Sequence, residues 1–283
     1  MKSGIEMKSL KLYFESLLDD DDIFLDPEND KNVVKELIKS HYKNTGKLTI
    51  SDDFIVDCTG GVYVKNKSIT SLTNGLFRWG KVEGNFTCSF AQITSLEGAP
   101  EEVSGNFDCS DCVKLKTLEG APNKVDGNFG CDGCRSLKSL KGAPEDVEGN
   151  FICSDCENLE SLEGAPKEVD GGFYCSQCNS LTSLEGAPKK HNGNFICADC
   201  ISLTTLKGSP EVVGGTFSCD GCGNLKSLEG APKIVGESFY CDHCVNLKSL
   251  KGVPKVIGEG LYCSHCDKLK ITNSDRKKYK VQD

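Results

Sequence analysis

The stretch Cys153–Phe173, CSDCENLESLEGAPKEVDGGF, is one copy of a unit that most of the chain repeats. Its Cys-x-x-Cys pair returns eight times at an unbroken interval of 22 residues, from Cys109 and Cys112 to Cys263 and Cys266. The recurring residues of this copy are Cys153, Cys156, Leu159, Leu162, Gly164, Ala165, Pro166, Val169 and Phe173. Apolar positions this few and this scattered cannot close a core within one unit, whereas stacked units bury them together. The chain is therefore read as a solenoid, not as the one or two globular domains that 283 residues would ordinarily suggest.

The register extends outward from this stretch. Val64, Ile69 and Leu72 have the spacing of Cys88, Ile93 and Leu96, which adds two imperfect early turns and makes about ten in all. Lys67 and Ala91 stand where later turns have the second cysteine, and a three-residue expansion carries Phe77 and Trp79. Terminal repeats are expected to be atypical because one of their faces lacks an identical neighbour. From Leu48 to Val64 the pattern is strand-like around Gly60 and Gly61. Residues 1–46 fall outside the repeat and read as a helical leader. One amphipathic helix carries Ile5, Leu10, Leu12, Phe14, Leu17 and Leu18 up to the run Asp19–Asp22. A second helix begins after Pro27 and Asp30 and carries Val33, Val34, Leu37 and Ile38 on one side; the pair is expected to cover the open end of the coil or to form a small tethered module. The solenoid is assigned to residues 47–271, and residues 272–283 are expected to form a polar, mobile tail.

The segment Phe173-Tyr174-Cys175-Ser176-Gln177-Cys178 has the apolar-x-apolar-x-x-Cys form and so resembles the strand of leucine-rich repeats, with the second cysteine at the asparagine-ladder position. The Leu-x-x-Leu step and Pro-bearing turn leave no room for a long helix, as in the short bacterial members of that class. The departures are the Glu/Lys-Gly-Ala-Pro turn and a valine four residues before phenylalanine where the leucine consensus has three. The resemblance implies a β-solenoid of leucine-rich-repeat type, with a short parallel strand per turn and little helix on the convex side. In wording, LTSLEGAPKKHNGNFICADC is similar to arrays of S-L-E-G-A-P-K-x-V-x-G-x-F-x-C-S repeats in uncharacterised proteins of large tailed bacteriophages, which mostly carry asparagine at the second cysteine. That likeness implies a phage source and no defined activity.

With 33 basic against 42 acidic residues, the net charge of -9 argues against a nucleic-acid phosphate track or an anionic membrane as partner and admits a basic one. No run approaches the roughly 18 apolar residues of a membrane span. The first 22 residues interrupt their apolar positions with charge too early for a secretory signal. These features place the chain in a cytoplasm, that of a host bacterium if the phage source holds, or in a virion. There the 18 cysteines are expected to be reduced.

Three readings of those cysteines stay open. Tandem Cys-x-x-Cys pairs suit zinc, in four-thiolate sites shared by adjacent turns. Against zinc, the dipeptides inside the pairs run SD, DG, SD, SQ, AD, DG, DH, SH with no two-turn alternation. Strands about 4.8 Å apart would also have to be drawn together pairwise to bring sulfurs within the roughly 4 Å that zinc requires. A redox array would want one pair singled out by a lowered thiol pKa. Packing handles every copy alike, because cysteine is a small, readily buried side chain whose S–H can point at a turn carbonyl. Packing without a cofactor is carried forward, with zinc as the alternative. His191 takes the place of the usual valine, and His243 and His265, inside cysteine pairs, would matter only to a bound metal.

Function is expected on the strand. The residue before the first cysteine points opposite to Phe and Cys, and it varies: Thr87, Asp108, Gly130, Ile152, Tyr174, Ile196, Ser218, Tyr240, Tyr262. Ile152, Tyr174, Ile196, Tyr240 and Tyr262 would form an exposed apolar stripe flanked by Asp155, Asp199, Asp220 and Asp242, with Asp111 and Asp132 beside them. A protein with Lys or Arg around an apolar centre is the expected partner. The competing reading is that these residues pack sideways along the ladder. No nucleophile stands beside a base, and neither a Walker loop nor a dinucleotide fingerprint is present, so no catalysis is expected.

Overall fold

Each 22-residue unit closes one turn of a coil. In the computed structural model, which describes residues 27–282 apart from the side chains of residues 27–30, 190 and 191, the turns stack as a β-solenoid with little helix. The first expected helix, Ile5 to Leu18, and the side chain of His191 lie outside the described residues.

Every turn contributes a strand such as Phe173–Tyr174 to a 12-stranded sheet. Ten of its strands, from Val62–Val64 to Leu261–Tyr262, are successive parallel rungs. Phe129, Phe151 and Phe173 follow one another in register. The short parallel strand, the Leu-x-x-Leu step and the near absence of helix fit the leucine-rich-repeat expectation. One feature goes beyond it: residues around the valine, such as Glu168–Val169, form a second short strand per turn and build a separate 11-stranded sheet.

The inward residues are those that hardly vary between turns. Phenylalanines, cysteines, leucines and valines of the middle turns are fully or almost fully buried in one continuous core. Phenylalanine rings from Phe86 to Phe239 stack with centroids 5.1–5.5 Å apart, close to the spacing of the rungs themselves. The Gly-Ala-Pro corner is equally tight. Gly164 has φ 93, and a Cβ on it would lie 2.5 Å from Lys141 Cα in the turn before.

An asparagine ladder runs six residues before the second cysteine, where the leucine-rich resemblance does not place one. Asn85, Asn106 and Asn128, each just before a phenylalanine, accept through Oδ1 from the backbone N–H of Asn106, Asn128 and Asn150 at 2.7–2.9 Å. Asn150 does the same for Gly172, and the ladder resumes from Asn194 to Thr216. The Gly-Asn-Phe wording carried this signal, because an amide side chain at a corner can satisfy the next turn's backbone donor.

The first end is covered by a helix and two antiparallel strands. Helix α1 (Pro27–His41) puts Val34 and Ile38 into the core, as expected of a covering helix. Strand β1 (Tyr42–Asn44) runs antiparallel to β4 (Val62–Val64), and β2 (Leu48–Ile50) antiparallel to β3 (Ile55–Cys58). These reversals end the parallel stack in hydrogen-bonded strands and a helix, so that no open parallel edge faces solvent there. Phe77 and Trp79, from the three-residue expansion, join Tyr42 and Phe86 in an edge-to-face cluster. The Tyr42 hydroxyl donates to Leu72 O.

At the other end, residues 272–283 differ from the mobile tail expected. They form helix α2 (Asn273–Tyr279) and then the strand Val281–Gln282, which pairs in parallel with Leu261–Tyr262. The cause is local: Thr272 Oγ1 accepts from Asp275 N at 3.1 Å, while the Asp275 carboxylate accepts from Thr272 N at 3.0 Å. This reciprocal cap starts the helix, and Lys280, with φ 50, turns the chain back onto the sheet.

Candidate functional site

The two sulfur columns run through the interior. All eight second cysteines, from Cys112 to Cys266, direct Sγ at the carbonyl of the first cysteine in the preceding turn, as Cys178 does at Cys153 O (3.3 Å) and Cys200 at Cys175 O (3.2 Å). Three first cysteines, Cys109, Cys197 and Cys219, reach a carbonyl of the following turn at 3.2–3.5 Å. Burial, then neighbouring sulfurs, push the Cys109, Cys153 and Cys175 thiols well above the usual range. At Cys131, Cys197 and Cys219 the hydrogen bond with the next turn's sulfur comes first and burial second. Such thiols hold their protons at neutral pH and are poor nucleophiles. Among the described residues no three His, Cys, Asp or Glu side chains are gathered as a metal ion would require, and all 18 cysteines are free and buried.

The first two turns show how the ladder tolerates other residues. Ala91 is buried in the second-cysteine column, whereas Lys67 there swings outward and donates from Nζ to Ser89 O at 2.7 Å.

The outer face of the first sheet places the expected stripe where the sequence put it, with one difference. Ile152, Tyr174 and Ile196 lie in register on three consecutive rungs, and Tyr240 and Tyr262 stack with ring centroids 4.4 Å apart. All five are half-buried, not freely exposed. Rungs this close make neighbouring side chains lean on one another, and Tyr174 also lies over its own strand, its ring covering Gly172. The carboxylates divide into two groups. Asp155 and Asp199 are exposed on left-handed residues with φ 58 and 56. Asp220 and Asp242 are half-buried and belong to the inter-turn bonding, accepting from Asp242 N (2.8 Å) and Ser264 N (2.5 Å). Asp132 likewise accepts from Ser110 Oγ at 2.7 Å. Burial raises the Asp220 carboxyl above the usual carboxylate range despite those amide donors. His243 and His265 are exposed and stack in parallel with centroids 4.5 Å apart.

Apart from Phe90, which stands in the column of Asp155 and Asp199, the most exposed large apolar side chains are elsewhere and lie outside the expected stripe. Val113, Ile201 and Val245 follow the second cysteine; Val212, Ile234 and Val256 precede the valine of the second sheet. Reading the repeat column by column at those two places would have found them. A shallow groove of about 960 Å³ crosses two Gly-Ala-Pro corners and the Gly208-Ser209-Pro210 corner that follows them, rimmed by Lys167, Lys189, Glu185 and Glu211. It gathers surface charges and no convergent nucleophile and base.

No described helix is long and apolar enough to cross a membrane. Comparison with protein-family models, with curated proteins and with solved structures finds no match.

Proposed function

We propose that the protein is a non-catalytic scaffold that binds a protein partner through the outer face of its first sheet. The observation that carries this reading is the in-register row Ile152, Tyr174, Ile196, three large apolar side chains on consecutive rungs of a coil whose inward positions hardly change. Asp155 and Asp199 project beside the row, and the Tyr240–Tyr262 stack continues the face toward the end of the coil. Half-buried aromatic residues supply rigid contact area at little entropic cost, and an acidic rim favours a partner with Lys or Arg around an apolar centre. The phage resemblance supports a virion component or a host factor as that partner, met in the host cytoplasm or in the particle.

The test is capture of the partner from infected cells by the immobilised protein. Replacing Tyr174, Tyr240 and Tyr262 together by serine abolishes capture while the far-UV CD spectrum is retained; unchanged capture refutes the assignment. The cysteines serve this reading as core, without a cofactor. Metal analysis after purification without chelator addresses the zinc alternative, and about four tightly held zinc ions per chain would overturn the packing role.

A further inference from the structure

The second sheet changes character along its length. In its outward column before the valine, five turns carry Glu102, Lys124, Asp146, Glu168 and Lys190, and then three consecutive rungs carry Val212, Ile234 and Val256. These three are 46, 41 and 52% exposed. The outward column two residues further on changes at the same rungs, from Ser104, Asp126, Glu148, Asp170 and Asn192 to Gly214, Gly236 and Gly258. The glycines answer to close backbone packing, since a Cβ on Gly236 would lie 1.9 Å from Gly214 O. Their consequence is a bare trough beside an apolar ridge. Charge brackets the pair, with Lys233 and Lys255 on the ridge side and Glu237 and Glu259 on the trough side, all exposed.

We propose that this face docks a second copy of the same chain. A half-turn about an axis parallel to the coil keeps rungs level and reverses strand direction, so each copy's ridge falls on the other's trough. Val212, Ile234 and Val256 then cover Gly214, Gly236 and Gly258 of the second copy. The same operation sets Lys233 opposite Glu237 and Lys255 opposite Glu259, twice over, as a two-fold contact requires. Lys233 already meets Glu211, but Lys255 has no acidic partner among the described residues, so the second copy supplies one. The charged turns before Val212 confine the contact to the last three rungs. A contact of three rungs is small beside the roughly 800 Å² per partner of a stable dimer, so the association is weak.

Sedimentation velocity across about 1–300 µM, the range in which a weak dimer forms, reads the proposal. The wild-type sedimentation coefficient rises with concentration, and Ile234→Lys holds it at the monomer value. Lys233→Glu with Lys255→Glu, and separately Glu237→Lys with Glu259→Lys, each abolish association. Mixing the two double variants restores it, because every facing pair is again of opposite sign. A wild type that stays monomeric overturns the proposal, as does association that survives Ile234→Lys or a mixture that remains monomeric. Far-UV CD identical to wild type establishes that each variant is folded.

Discussion

Two glycines with the same backbone requirement and different surroundings test the stacking directly. Gly75 and Gly164 both have positive φ, 73 and 93. A Cβ on Gly75 meets nothing within 4 Å, whereas on Gly164 it falls 2.5 Å from Lys141 Cα and N and 2.6 Å from Leu140 C. Gly75→Ala therefore costs only the left-handed penalty of an L residue, about 1 kcal/mol. Gly164→Ala carries that penalty plus an overlap with backbone, which can be relieved only by separating two turns. Overpacking of this kind adds about 1–3 kcal/mol, for a total of about 2–4 kcal/mol. At about 2–4 °C per kcal/mol for a chain of this size, the thermal midpoint falls by about 2–4 °C in the first variant and about 4–16 °C in the second. Thermal unfolding followed by CD at matched concentration measures both. Equal midpoints would refute the argument, since they would mean that the Gly-Ala-Pro corners do not sit on one another as closely as described.

Three further outcomes follow from the ends and the outer face. Cys263 and Cys266 are the least shielded thiols of the repeat, 5 and 8% exposed, and the hydrogen bond with Cys241 lowers both; a disulfide reagent at pH 8 should modify these two first and the central turns only on unfolding, and early labelling at Cys153 or Cys175 would contradict the buried ladder. Asp220 holds its proton more tightly folded than unfolded, so its contribution to stability falls as pH rises from the ordinary 3.8 through the higher folded value. Asp220→Asn keeps the oxygen that accepts from Asp242 N and should flatten that fall, leaving the protein at least as stable as wild type at pH 7; an unchanged pH profile in denaturant titrations counts against it. Thr272→Ala removes the cap of α2 at a cost of about 1 kcal/mol, and faster amide exchange at Val281 and Gln282 with little change at Phe151 should report it.

The sequence disclosed the coil because its period is strict and its inward residues are few in kind. Phe173, Cys175, Cys178, Leu181 and Leu184 could be assigned to the interior from spacing alone, and all are buried. The second sheet was harder to read, since strands such as Glu168–Val169 hold only two residues and offer a single inward valine. Residues 272–282 are polar as expected, and Thr272 and Asp275 spell a helix start at the spacing of a reciprocal cap. On the outer face, the identities of Ile152, Tyr174 and Ile196 were legible but their exposure was not, because side-chain leaning depends on the neighbouring rung. Val212, Ile234 and Val256 look like ordinary strand residues within any one turn; only the comparison of successive turns separates them from Glu102 and Lys124.

The strict register also makes length an adjustable property of this molecule. Each turn adds one rung to both sheets and touches only its neighbours, so insertion of one more 22-residue unit between Cys131 and Cys153 would move the helix-covered end and the three apolar rungs apart by about 4.8 Å. Neither end would need to change a contact, since α1 meets the first turns and α2 the last. A coil of this kind is a gauge: changing the number of its units resets the distance between what is held at one end and what is held at the other, in steps of one strand.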